Sequence, residues 1–132
     1  QEQADDFCGT QLACRAQPFE GGFRVSGEKQ FVAGAAAADG FIVSAAGAQG
    51  LALLWVPRDA AGCSVKLQPL ADGRSYGMLV LKDVVVPRAQ LLAEGDAARA
   101  ALDRALDHAA VTAAAELVGV MKRAHEMSLD YM

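Results

Sequence analysis

Gly21-Gly22-Phe23-Arg24-Val25-Ser26-Gly27-Glu28-Lys29-Gln30-Phe31-Val32-Ala33-Gly34 is followed, after three alanines, by Ala38-Asp39-Gly40-Phe41-Ile42-Val43-Ser44-Ala45. The paired glycines are a tight-turn signal. Phe23 and Val25 alternate with Arg24 and Ser26, as in a strand with one buried face, and Gly27 marks a second turn before a further strand. Period-two alternation punctuated by turn residues predicts antiparallel β structure and by itself carries no chemistry.

The flanking sequence continues the pattern. Upstream, Leu12, Cys14 and Ala16 alternate imperfectly with Gln11, Ala13 and Arg15, so Thr10 to Gln17 can form a strand. Pro18 either ends that strand or marks it as an edge, since proline has no N–H to donate to a ladder. Downstream, Phe41 to Ala45 and Leu51 to Val56 are apolar runs split by Gly47-Ala48-Gln49-Gly50, a turn composition. Pro57 to Gly62 reads as another turn and Cys63 to Leu67 as another strand. Asp72-Gly73 precedes a final run from Tyr76 to Val86, where Lys82-Asp83 implies two strands or a bend. This spacing predicts an antiparallel β-barrel or sandwich of about seven or eight short strands.

From Asp96 the composition changes. Residues 97 to 132 hold no proline and one glycine, Gly119, and are rich in alanine, the strongest helix former. Leu102, Leu106, Ala113, Leu117, Val120, Ala124, Met127 and Tyr131 recur every three or four residues, and Asp96 is placed to cap the start. The fold class expected is therefore mainly β, closed by one long amphipathic C-terminal helix. At 1.5 Å per residue such a helix runs about 54 Å. It then needs something besides the β-domain to cover one face, or else it breaks near Gly119 and folds back.

Composition limits the partners. The chain has 132 residues, enough for one domain with a real core. A net charge of -4 without a Lys/Arg cluster argues against nucleic acid or an anionic membrane. No apolar run is long enough to span a membrane and no signal peptide is apparent. Cys8, Cys14 and Cys63 cannot all pair and have no C-x-x-C spacing, which fits small thiols in a reducing, cytoplasmic setting, with a disulfide or a reactive thiol as the other readings. His108 and His125 are too far apart to pair, and no metal site is expected. The chain opens without methionine on a polar stretch, so either an upstream piece was removed or this is part of a longer protein.

The opening stretch resembles the acyl-CoA dehydrogenase motif written roughly G-x-x-L-x-G-x-K-x-x-(S/T)-x-x-x-x-A-D-x-x-(I/L/V)-(I/L/V)-x-A. Lys82-Asp83-Val84-Val85-Val86-Pro87 with Leu91-Leu92 resembles that family's F-E-D-V-x-V-P exit strand. Ala114 to Ala124 resembles the first long helix of its C-terminal bundle, and Leu129-Asp130-Tyr131-Met132 the residues just before its R-x-Q-F-G motif. The resemblance implies a middle β-barrel domain over residues 1–93 and the start of a helical domain over 94–132, truncated. It implies FAD as cofactor, an acyl-CoA thioester as substrate and α,β-desaturation as the reaction. A homo- or hetero-oligomer with other dehydrogenase subunits and an electron-transfer acceptor are the implied partners.

The resemblance also assigns residues. The family's W-(I/V)-(S/T), whose ring lies against the flavin and whose hydroxyl bonds the flavin's polar edge, falls on Phe31, Val32 and Ala33. The aromatic survives and the hydroxyl does not. The family's T-E-P-x-x-G-S-D loop falls around Gln1 to Cys8, where Glu2, beside Gln1, is the one convincing match. A substrate-contacting D-x-x-R falls on Asp107 and Ala110, which keeps the aspartate alone, and Arg74 borders the implied substrate channel or is a surface turn residue. His108 is a replacement polar group or an exposed histidine. The family's catalytic glutamate lies far downstream or at the position of Ala109, so no catalytic residue is assigned and the polypeptide alone is not expected to be active. Such losses equally fit a non-catalytic, flavin-poor subunit serving as a structural partner or acyl-CoA-binding module.

Overall fold

The computed structural model describes residues 12–71 and 73–131. The chain divides into two units, Gln1–Ala98 and Arg99–Met132. In the first, β1 (Arg15–Phe19), β2 (Gly22–Ala33), β3 (Gly40–Gly47), β4 (Gly50–Pro57), β5 (Cys63–Pro69), β6 (Ser75–Pro87) and β7 (Leu91–Glu94) form one seven-stranded sheet ordered β5-β6-β2-β1-β3-β4-β7. A short 3-10 turn, Arg88–Gln90, precedes β7.

The β class and terminal helix are as the alternation predicts, but a closed antiparallel barrel is not what forms. The sheet is open, with β5 and β7 at its edges, and it is mixed, because β1 pairs with β3 in parallel through Arg15 and Ala46. Pro18 lies inside β1. It is tolerated because that part of β1 pairs on one side only, with Phe23 of β2.

The core comes from the inward residues of four strands. Phe23 and Val25, then Phe41, Val43 and Ala45, then Ala52, Leu54 and Val56, then Leu79, Leu81, Val84 and Val86 are all buried, joined by Cys14 and Ala16. Along β6 the residues that join the core are 79 and 81, then 84 and 86, so the alternation slips by one residue at Lys82-Asp83. The pairing shows why. Val25 faces Val84 but Gly27 faces Leu81, so β6 carries an extra residue there, and Asp83 takes a φ of 49°. The sequence breaks the apolar run with two charges where the strand bulges, and β6 remains a single bent strand.

Helix α1 (Gly95–Asp130) is continuous for 36 residues, with no break at Gly119. Asp96 lies in its first turn rather than capping it, still at the positive end of the helix dipole. Leu106, Leu117, Val120 and Met127 are exposed along it, and Lys122 and Arg123 flank Glu126 at 4.0 and 3.8 Å, exposed pairs that add little stability. No described helix is long and apolar enough to cross a membrane.

Candidate functional site

The far end of β2 is shaped by a second bulge in the same ladder. Lys29 faces Leu79 while Val32 faces Gly77, so here the extra residue belongs to β2. Phe31 sits in it with a φ of 55°, the left-handed region that side chains other than glycine, asparagine and aspartate enter at a cost of roughly 1–2 kcal/mol. The residue is 55% exposed. A strained, exposed aromatic that its own strand does not bury is a feature to be explained by what it contacts.

The neighbours of Phe31 form a small aromatic corner. Tyr76, paired with Ala33 across the ladder, meets Phe31 edge to face, with ring centroids 6.4 Å apart and planes at 74°. Val32 points the other way and packs against the core, which anchors the bulge from below. Ala33 is exposed at the end of β2 and offers a methyl group where a hydroxyl is expected. Gly34 to Ala38 then turn toward β3, closed by the Ala37 N–H donating to the Gly34 carbonyl at 3.1 Å.

Two further contacts hold this corner. Ala35 is buried against Gly77, and any side chain at 77 would collide with the Ala35 methyl group. The Arg58 guanidinium donates from Nη1 to the carbonyls of Ala35, Ala36 (3.3 Å) and Ala38 (3.2 Å). Nearby, Cys63 is half-buried, and burial pushes its thiol pKa up, partly offset by the Arg58 charge.

The expected site residues separate into groups. Phe31, Val32 and Ala33 stand together, and exposed Arg74 lies in the β5–β6 turn, its carbonyl accepting from Leu70 N–H at 2.8 Å, two residues before Tyr76. Asp107 and His108 are exposed residues of the helical unit, where the His108 carbonyl accepts from Thr112 Oγ1 at 2.9 Å. Gln1 and Glu2 lie outside the described residues. Tyr76 and Arg58 were not legible as site residues, because their places depend on pairing and turn geometry across the sheet. An open cleft of about 290 Å³ on the outer sheet face, lined by Arg15, Gln17, Arg24, Ser26 and Asp83, includes none of the expected site residues.

An exposed ring backed by a perpendicular aromatic, beside a turn of small residues, fits the face of a flat heteroaromatic cofactor such as an isoalloxazine. The face is present; the hydroxyl donor at position 33 is not. Among the described residues no group of His, Cys, Asp and Glu is arranged to hold a metal ion.

No family model and no curated protein sequence matches the chain. Solved structures do. The ChsE4-ChsE5 complex from Mycobacterium tuberculosis is 26% identical with a TM-score of 0.62, over 69% of this chain and 25% of that one. The Tcur3481-Tcur3483 steroid ACAD is 25% identical with a TM-score of 0.62, over 66% of this chain and 24% of that one. A glutaryl-CoA dehydrogenase from Mycobacterium smegmatis in complex with FADH2 is 26% identical with a TM-score of 0.60, over 66% of this chain and 24% of that one. The chain thus spans about a quarter of the length of the structures it resembles.

Proposed function

We propose that this chain, similar in fold and in its ordered motifs to the acyl-CoA dehydrogenases, forms the flavin-seating β-domain and first bundle helix of a subunit acting on acyl-CoA thioesters. The observation that carries this reading is Phe31, an exposed aromatic held in a left-handed bulge at the position where the family's ring meets the flavin.

In that role each residue has a stated task. Phe31 offers its face to the isoalloxazine, Tyr76 braces the ring from its edge, and Val32 ties the bulge to the core. Backbone groups take over the polar edge that Ala33 leaves without a hydroxyl. Asp107 and Arg74 serve the thioester and its CoA arm, and Gln1 and Glu2 are assigned to the cofactor by the resemblance alone. FAD, when bound, supplies the acceptor for a hydride from the β-carbon. The α-proton has to leave to a carboxylate that this polypeptide does not carry at Ala109, so the base comes from another part of the protein or from a partner subunit. Domain boundaries near residue 93, an oligomer with other dehydrogenase subunits, an external electron acceptor and a cytoplasmic location complete the proposal. That one of the similar structures is a two-protein complex supports the oligomer.

A second reading is favoured by Ala33 and Ala110, which remove a flavin-facing hydroxyl and a substrate-facing guanidinium: a flavin-poor subunit that scaffolds an active partner. The two are separated by the absorbance of the full-length protein purified with any partner and titrated with FAD. Bound flavin that is bleached by an acyl-CoA supports the first. A colourless protein that takes up no FAD rejects it, and a large gain in FAD affinity on Ala33→Thr counts against the second, since other groups are missing as well.

A further inference from the structure

Gly34 to Ala38 form a turn with no side chain able to make a hydrogen bond, so it is held by its backbone and by whatever reaches it. What reaches it is Arg58. One guanidinium nitrogen gathers the carbonyls of Ala35, Ala36 and Ala38, and the Arg58 N–H donates to the Asp39 carbonyl at 2.9 Å. Arg58 directly follows Pro57, which pairs with Gly40 in the β3–β4 ladder, so the clamp is anchored on a different part of the sheet from the strand that carries Phe31. Charge-assisted bonds from an always-charged, planar fork are the strong kind.

The turn is the direct continuation of Phe31-Val32-Ala33. Beyond the bulge, β2 is tied to β6 through Val32 with Gly77 and Ala33 with Tyr76. Ala35, which Arg58 holds by its carbonyl, is buried against Gly77. The clamp therefore presses on the same two-residue segment that sets the Phe31–Tyr76 corner. A strained φ persists only where the surroundings over-determine it. We infer that Arg58 is a positioning residue for the flavin seat: by gathering the carbonyls of the alanine turn it fixes where Phe31 presents its ring. The inference rests on the flavin reading above for what the seat holds, and on the sheet geometry for how it is held.

The test compares full-length wild type with Arg58→Gln and Arg58→Lys, without and with FAD. In the FAD-free protein, peptide-resolved amide exchange over residues 31–39 is expected to rise in Arg58→Gln while the segment from Leu79 to Val86 stays protected. With FAD, the dissociation constant is expected to rise about tenfold, the equivalent of 1.4 kcal/mol, with an altered visible circular dichroism of the flavin. Arg58→Lys, which keeps the charge without the fork, is expected to fall between. Unchanged exchange at 31–39, or general loosening that includes Leu79 to Val86, overturns the clamp. Unchanged FAD affinity and spectrum in Arg58→Gln overturns the positioning role alone, whereas a wild type that takes up no FAD overturns the functional reading, and the exchange result still decides the clamp.

Discussion

Phe31 and Asp83, the two non-glycine residues with positive φ among those described, occupy the two bulges of one ladder, on opposite strands. The extra residue is Phe31 on β2 near one end and falls at Lys82-Asp83 on β6 nearer the other. Because the insertions lie on opposite strands, the pairing after both has the offset it had before the first, and the two strands stay in phase across most of their length. The two bulges differ in chemistry. Asp83 is satisfied locally: its N–H donates to Ser26 Oγ at 3.0 Å, and that hydroxyl donates to Asp83 Oδ1 at 2.8 Å. Among the described residues Phe31 has no such local return beyond its T-shaped contact with Tyr76, which leaves its strain to be explained by a ligand.

Phe31→Ala is expected to weaken FAD binding at least tenfold while changing stability by less than about 1 kcal/mol, because a largely exposed ring contributes little burial. Phe31→Gly removes the left-handed strain as well and is expected to be no less stable than Phe31→Ala. FAD titration alongside urea denaturation checks both; a large loss of stability in Phe31→Ala would falsify the assignment of the ring to a ligand face.

Asp83→Asn keeps both the turn preference and a hydrogen-bond acceptor and is expected to be nearly neutral. Asp83→Val places a β-branched residue at a φ of 49° and removes the carboxylate that accepts from the Ser26 hydroxyl, with an expected loss of about 2–3 kcal/mol. The shift in the denaturation midpoint at unchanged slope is the measurement.

Gly77→Ala drives a methyl group into Ala35, at a place where backbone and side chain already touch. Overpacking of this kind costs typically 1–3 kcal/mol. Relief has to come from the alanine turn or from β6, so the variant is expected to lose FAD affinity in addition to stability. Equal FAD affinity at lowered stability would separate Gly77 from the seat.

Cys63 has its thiol pKa raised by burial, with Arg58 lowering it in part. In a Cys8→Ser background, with Cys14 fully buried, alkylation is expected to report on Cys63 alone and to be slower than for a free thiol at neutral pH. The sign follows from the neutral form being favoured in the fold: the associated stability is complete below the unfolded thiol's pKa and declines as pH rises through the folded value. Alkylation rates measured from pH 7 to 10 should place the apparent pKa above that of a small-molecule thiol, and a depressed value would contradict the burial.

The local pattern was enough for most of the strands and turns and for the terminal helix, because alternation, glycine and alanine act over a few residues at a time, but Gly27, expected as a turn, lies inside the unbroken strand β2, where pairing with β6 carries the chain straight through it. Thus Phe23 and Val25 read as one buried face before any partner strand is known, and the alanine-rich tail reads as helix. Phe31 could be singled out only through the motif around it. The rest depends on register between strands some fifty residues apart. Whether the sheet closes, where β2 and β6 take an extra residue, that Tyr76 stands beside Phe31, and that Arg58 reaches the turn beyond it are set by packing and pairing across the sheet. Long-range hydrogen bonding has no period along the chain, so only the folded sheet decides which ring is exposed and what holds it there.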